Sequence, residues 1–149
     1  MRIVSVLVGL GVASVLLSGC TNSTGTAAPT TPSAARSDVD VSIVTAIGGD
    51  GTVEWLEAKL VPATSDNTKV EAVAPERKQS SKLAADASFL TPTGCTSTHV
   101  DISLDPTGTG MVKCARVDYL RMGPGTHYAP KMSFNQQGEI TRIADRYHP

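Results

Sequence analysis

The feature that most constrains this chain is an apolar run that it cannot keep inside a small folded domain. Arg2 is followed by Ile3 to Leu17, 15 residues without a charge, and then by the small residues Ser18 and Gly19 before Cys20. Basic, apolar and small segments in that order predict a secretory signal. A retained transmembrane helix is the competing reading. The run is shorter than the roughly 20 residues that cross a bilayer, and no basic cluster follows Cys20 to stop transfer. Removing residues 1–19 leaves 130 of the 149, enough for one domain. Arg2 is the only charge removed, so the net charge goes from −1 to −2. That balance gives no electrostatic case for binding nucleic acid or an anionic membrane surface.

Leu17-Ser18-Gly19-Cys20 resembles the lipobox of bacterial lipoproteins. The resemblance implies that the Cys20 thiol is acylated and the peptide is cut before it. The product is then extracytoplasmic and held to the bacterial cell membrane by lipid. An ordinary cleaved signal is the other reading of these residues. Each buried methylene adds about 0.8 kcal/mol, so two or three acyl chains would hold firmly. Residues 21–37, TNSTGTAAPTTPSAARS, carry one charge and no large apolar side chain. They bury too little surface to offset ordering, so residues 20–37 are expected to form the lipidated Cys and a disordered tether. By random-coil scaling its reach is about 20–25 Å. Residues 38–149 then form a single envelope domain.

Within that domain the first half reads as short helices. Ser37 and Asp40 have the spacing of a capping box, and Val39, Ile43 and Ile47 share a helical face that Gly48 ends. Val53, Leu56 and Leu60 keep helical spacing around Trp55 up to Pro62. The alternative is a strand hairpin turned by Gly48-Gly49-Asp50-Gly51, favoured by the β-branched residues. Pro75 suits a first helical position and predicts a helix from about Glu76 to Ser88. The last third reads as β. His99 to Leu104 alternates, Asp105 to Gly110 is a turn cluster, and strands are expected over Met111–Met122, Tyr128–Phe134 and Glu139–Tyr147. The expected fold class is α+β, with short N-terminal helices packed on a C-terminal antiparallel β-meander of about four strands.

The ending, KMSFNQQGEITRIADRYHP, resembles the terminal hairpin of the nuclear-transport-factor-2-like superfamily, which includes ketosteroid isomerases and SnoaL-type cyclases. Phe134, Gly138, Ile140, Asp145 and Tyr147 carry the likeness, which is confined to the C-terminal third. It implies an apolar cone with an acid and a tyrosine inside. Asp118, Tyr119 and Tyr128 are the nearest residue types, but no motif aligns them with a catalytic role.

With Cys20 taken by lipid, Cys95 and Cys114 remain as one pair, and outside the cytoplasm such a pair is expected to join. Two separate buried thiols are the alternative. On a straight hairpin Cys114 falls opposite Asp101, so residues 91–96 must fold back for the bond to close. His99, Asp101 and Arg116 share one face of that hairpin. They are a candidate ligand-binding or acid–base set, or a solvated face with a diagonal Asp101–Arg116 ion pair. The solvated face is the better reading, because no motif supplies a nucleophile or an oxyanion donor. The two cysteines and His99, His127 and His148 lack the close spacing of a zinc site, so no metal or cofactor is expected. The function that follows is a lipid-anchored envelope binding or interaction module without catalytic activity. It would serve an envelope protein partner or, if phage-encoded, exclude a competing phage. A small pocket enzyme or ligand carrier of the isomerase type is the alternative.

Overall fold

The computed structural model describes residues 36–63, 68–96 and 101–148. Residues 1–35, and with them the expected signal, Cys20 and nearly all of the expected tether, lie outside the described residues, as does His99. What is described is mostly β-strand: β1 (Ser42–Ile47), β2 (Thr52–Pro62), β3 (Thr68–Ala72), β4 (Gln79–Thr91), β5 (Val112–Cys114), β6 (Lys131–Phe134) and β7 (Ile140–Ala144). One short helix, α1 (Arg116–Arg121), and one 3-10 turn, Pro124–Thr126, follow β5.

The strands run in the order β1-β2-β4-β7-β6. All of these pairs are antiparallel except β4 with β7, which is parallel. The outer side of β6 is then met by Val39, which exchanges two backbone hydrogen bonds with Met132 at 2.9 and 2.8 Å. The segment that leads into β1 therefore pairs with the last strand in the order, and the sheet closes on itself. In connectivity this is a partly closed five-stranded Greek-key barrel, the architecture that OB-folds also use. β3 extends the β2 ladder beyond the barrel, after residues 73–78 interrupt the partner strand.

Alternation along β2 and β4 explains why the barrel has a core. Val53 and Trp55 turn to one side of β2 and join Val44, Leu83, Phe89, Tyr119, Met132, Ile140 and Ile143 in a buried cluster. Fully burying such a side chain stabilises by about 1.5–3 kcal/mol. Tyr119 of α1 is fully buried with its ring tilted 4.7 Å from that of Phe89, and the Trp55 ring lies 5.8 Å from that of Phe134. On the other side of β2, Ala58 packs with Ile43, Val70, Tyr128 and Ala129 in a second, smaller cluster.

The α+β expectation is thus corrected: among the described residues no N-terminal helices pack on a meander. The region read as helices is β1, β2 and β4. Its β-branched residues, Val41, Ile43, Val44, Thr45 and Ile47, suit a pleated surface, and each strand finds ladder partners on the neighbouring strands. Asp38 caps no helix; its carboxylate accepts from Ser133 Oγ at 2.9 Å and Phe134 N at 3.2 Å across the barrel seam. Pro75 starts no helix and sits in the interruption between β3 and β4. In the last third, residues 101–103 are irregular, and only Leu104 bridges to Gly110. The long strand expected over Met111–Met122 is broken after Cys114 by α1. The final hairpin forms between β6 and β7, but β7 joins the sheet alongside β4 rather than continuing a meander. Gly110 allows that loop to sit against the end of β4, since any Cβ there would overlap the Thr91–Pro92 backbone.

Candidate functional site

Of the sequence-derived polar set, His99 lies outside the described residues, and Asp101 and Arg116 are not paired. Asp101 is exposed in the irregular stretch before Leu104, and no ion pair among the described residues joins it to Arg116. Arg116 has a different task. β4 and β7 lose register between Leu83 and Ser88, and Arg116 Nη1 donates to the Ala84 carbonyl in that break at 2.8 Å. It satisfies a backbone acceptor that the parallel ladder leaves over. Cys114 lies opposite Phe89 on β5, and Cys95 reaches it at disulfide distance, with 5.5 Å between the α-carbons. The chain does turn back after β4: Gly94, with φ +86°, donates its N–H to Thr91 Oγ1 at 2.8 Å. Among the described residues, no group of three or more His, Cys, Asp or Glu side chains could hold a metal ion.

What the fold does gather is a buried polar network that no motif or spacing links. Asp145 follows β7, and its carboxylate accepts from Tyr119 Oη at 2.8 Å and from His127 Nδ1 at 2.9 Å. The carboxylate fixes the tautomer, because a neutral imidazole must keep its proton on Nδ1 to donate there. The His127 ring stacks 4.2 Å from Tyr119. Burial first, and the Asp145 charge second, push the Tyr119 phenol well above its ordinary pKa of 10.0. His127 Nε2 is buried without a hydrogen-bond partner among the described residues. A His–Asp pair is half of an acid–base device, yet this one is sealed. The His127 side chain has 0% exposure and that of Asp145 has 4%. The nearby Ser42 hydroxyl is also buried, and donates to the Pro130 carbonyl at 2.7 Å. The network ties α1, the segment before β6 and the end of β7 together from inside.

Above it lies an open groove of about 500 Å³. Ser42–Val44 of β1 form one wall, Thr68–Val70 of β3 the other, and Pro124–Ala129 with His148 close the end. Ile43 and Val70 stand on the side of β2 opposite Trp55, because Ile43 pairs with Leu56 and Val70 with Leu60. Tyr128 Oη donates to the Thr68 carbonyl at 2.7 Å, and its ring meets His148 edge-on at 4.3 Å. His127 is 7% exposed although its side chain is not exposed at all, so it lines the groove with backbone. Beside it Ala129 is held at φ +44°, the one non-glycine residue with positive φ among those described. Left-handed backbone costs about 1–2 kcal/mol for a residue with a Cβ, and such strain clusters at binding sites.

A second, more polar groove of about 370 Å³ runs along Ser80–Lys82 and Gln137–Glu139. Arg36 fills one end of it, donating to Ser81 Oγ at 2.6 Å and Gln79 Oε1 at 3.0 Å with its guanidinium over the rings of Trp55 and Phe134. No family model, curated protein or solved structure matches this chain. Sequence reasoning missed both grooves, since each is lined by elements that lie far apart along the chain.

Proposed function

We propose that this chain is a lipid-anchored binding module of the bacterial cell envelope that recognises its ligand in the groove between β1 and β3. The observation that carries the reading is the groove itself, open and floored by Ile43, Val70, Tyr128 and Ala129, above a His–Asp pair closed to solvent. A site of this kind can hold a ligand, and its sealed titratable groups have no route to a reacting atom. Leu17-Ser18-Gly19-Cys20 and the charge-poor residues after it support the anchor. The chain enters the described fold at Arg36, against Trp55, and Ile43 and Val70 stand on the other side of β2.

Fractionation and complementation test the two halves separately. Cys20→Ala should move the chain out of the membrane fraction or leave it unprocessed. Val70→Asp should stay in the membrane fraction and fail to restore the phenotype of a deletion strain. Membrane retention of a normally cleaved Cys20→Ala chain would overturn the anchor. Full complementation by Val70→Asp would overturn the groove.

A further inference from the structure

Resting on the assignment of the β1/β3 groove as the recognition surface, we propose that its partner is a second copy of this chain, whose β3 pairs antiparallel with the free edge of β3, centred on Val70. The backbone decides what the edge can take. Along β2 the hydrogen bonds alternate between its two neighbours. Ala58 N donates to the Val41 carbonyl at 3.0 Å on the β1 side, and the Glu57 carbonyl accepts from Val73 N at 2.9 Å on the β3 side. Carried along the register, the alternation turns the backbone groups of Glu71 and Lys69 toward β2, opposite Lys59 and Val61. Those of Thr68, Val70 and Ala72 then point away from β2, along the rim of the groove. Tyr128 Oη meets that rim, donating to the Thr68 carbonyl at 2.7 Å. No hydrogen bond among the described residues reaches the outward backbone groups of Val70 and Ala72. Such an edge is a template for another strand, and an added strand satisfies it with main-chain hydrogen bonds.

Side chains then select the partner and the register. Lys69 and Glu71 are exposed on the face of β3 opposite Val70, and neither joins an ion pair among the described residues. A lysine on an edge strand discourages a second copy, but the glutamate two residues on reverses that. Antiparallel pairing centred on Val70 sets Lys69 opposite Glu71 of the second copy, and Glu71 opposite its Lys69. Both pairs carry opposite charges directly across the ladder, which is favourable. A centre one residue further on would set Glu71 against itself, which is unfavourable. In the Val70-centred register the outward groups of Val70 meet those of its counterpart. Ala72 N–H meets the Thr68 carbonyl of the second copy, which keeps a lone pair beside the one given to Tyr128. On the groove face the two Val70 side chains come side by side, next to Leu60, which is 37% exposed and pairs with Val70 across β2 and β3. The contact is isologous, one patch serving both copies. A five-residue edge makes a small interface, and the anchor proposed above raises the effective concentration of two copies in one membrane.

The test uses intact cells that carry the full chain with Val70→Cys, treated with a copper–phenanthroline oxidant. In a hydrogen-bonded antiparallel pair the α-carbons lie about 5.5 Å apart, within reach of a disulfide. A dimer joined through position 70 should form, and Gln137→Cys, in an exposed turn, should give none above background. Co-expressed Thr68→Cys and Ala72→Cys chains should join as well, so the result does not hang on Val70→Cys alone. In the Val70→Cys chain, Lys69→Glu or Glu71→Lys should lower the dimer roughly fivefold, because opposite-charge pairs become like-charge pairs. The double exchange Lys69→Glu/Glu71→Lys should restore it to within about twofold. Co-expression of the two single charge variants should do the same, since each supplies the charge that the other lacks. Absence of dimer in both cysteine arrangements overturns the proposal, as does equal cross-linking at Gln137→Cys, which marks random collision. A dimer indifferent to the charge changes, or one that the double exchange leaves low, also overturns it. A Val70→Cys adduct with a different protein makes that protein the occupant and removes the second copy. Where no dimer forms while Val70→Asp still abolishes complementation, the second copy falls and the binding module stands.

Discussion

Asp145 keeps a carboxylate in a place with almost no water, and two donors make that tolerable. Tyr119 gives one hydrogen bond and His127 the other. Removing one partner of a buried charge leaves it under-solvated, typically at a cost of about 1–3 kcal/mol. Tyr119→Phe should therefore lower stability at neutral pH by about that amount. It should also change the alkaline limb of the stability curve. The folded-state pKa of Tyr119 is raised above its ordinary 10.0, mainly by burial. The folded chain thus keeps a proton that the unfolded chain releases. This contribution is fully present below about pH 10 and declines as the pH rises beyond it. The variant should lose that decline. Urea unfolding midpoints collected from neutral pH to about pH 11 read both effects, and an unchanged alkaline slope in Tyr119→Phe would exclude Tyr119 as its source. Asp145 stood in view in the sequence as one of the residues of the terminal-hairpin resemblance, and Tyr119 only as a residue type that no motif aligned. Nothing in their spacing linked them, since the link is made by the parallel placement of β7 beside β4.

Among the elements, β4 shows why part of the fold was not legible. Its sequence, QSSKLAADASFLT, carries alanines that favour a helix in isolation. Its burial has a period of two at Ser81, Leu83, Phe89 and Thr91, interrupted where the register with β7 breaks. Ladder partners on both edges override the local preference. The converse error lies at Arg116–Arg121, where a strand was expected. There Asp118 stands in the first turn and Arg121 in the last, which suits a helix dipole, and Tyr119 is drawn into the core. The alternation of Val100, Ile102 and Leu104 predicted a strand, yet Ile102 is 51% exposed and has no face to bury. The expected fold-back of residues 91–96 rested on a hairpin that put Cys114 opposite Asp101; Cys114 instead pairs with Phe89 of β4, and the turn after Thr91 brings Cys95 to it. The sequence separation of 19 between Cys95 and Cys114 gives a chain-entropy contribution of about 3 kcal/mol for a bond between them. The mature protein should yield a Cys95–Cys114 cross-linked peptide under non-reducing digestion, and Cys95→Ser should lower stability by roughly that amount. Two alkylatable thiols in the secreted form would show that the bond is not made.

At the scale of the whole molecule the decisive pairing is Val39 with Met132, between residues at opposite ends of the domain. No local pattern announces a pairing of that range, so a meander was the simplest reading of the last third. Around the bridge, Asp38 binds Ser133 and Phe134, and Asp40 meets Arg146 at 2.9 Å and Lys131 at 3.5 Å. Val39→Pro removes the N–H that Met132 O accepts and should cost about 1–3 kcal/mol. Hydrogen exchange reports where. The Met132 amide should lose protection while Val53 in the core keeps most of its own. Equal loss at both would mean that the seam is no weaker than the rest of the barrel.

The same seam has a mechanical side. A pull applied upstream of Arg36 would reach the domain first through the guanidinium held on Trp55 and Phe134, and next through Asp38, Val39 and Asp40. These attachments follow one another along residues 36–40, so tension would break them one after another, as in peeling. Resistance to such a force is set by the rate of unfolding rather than by equilibrium stability. A force applied at Arg36 therefore tests the seam before it tests the core of the barrel.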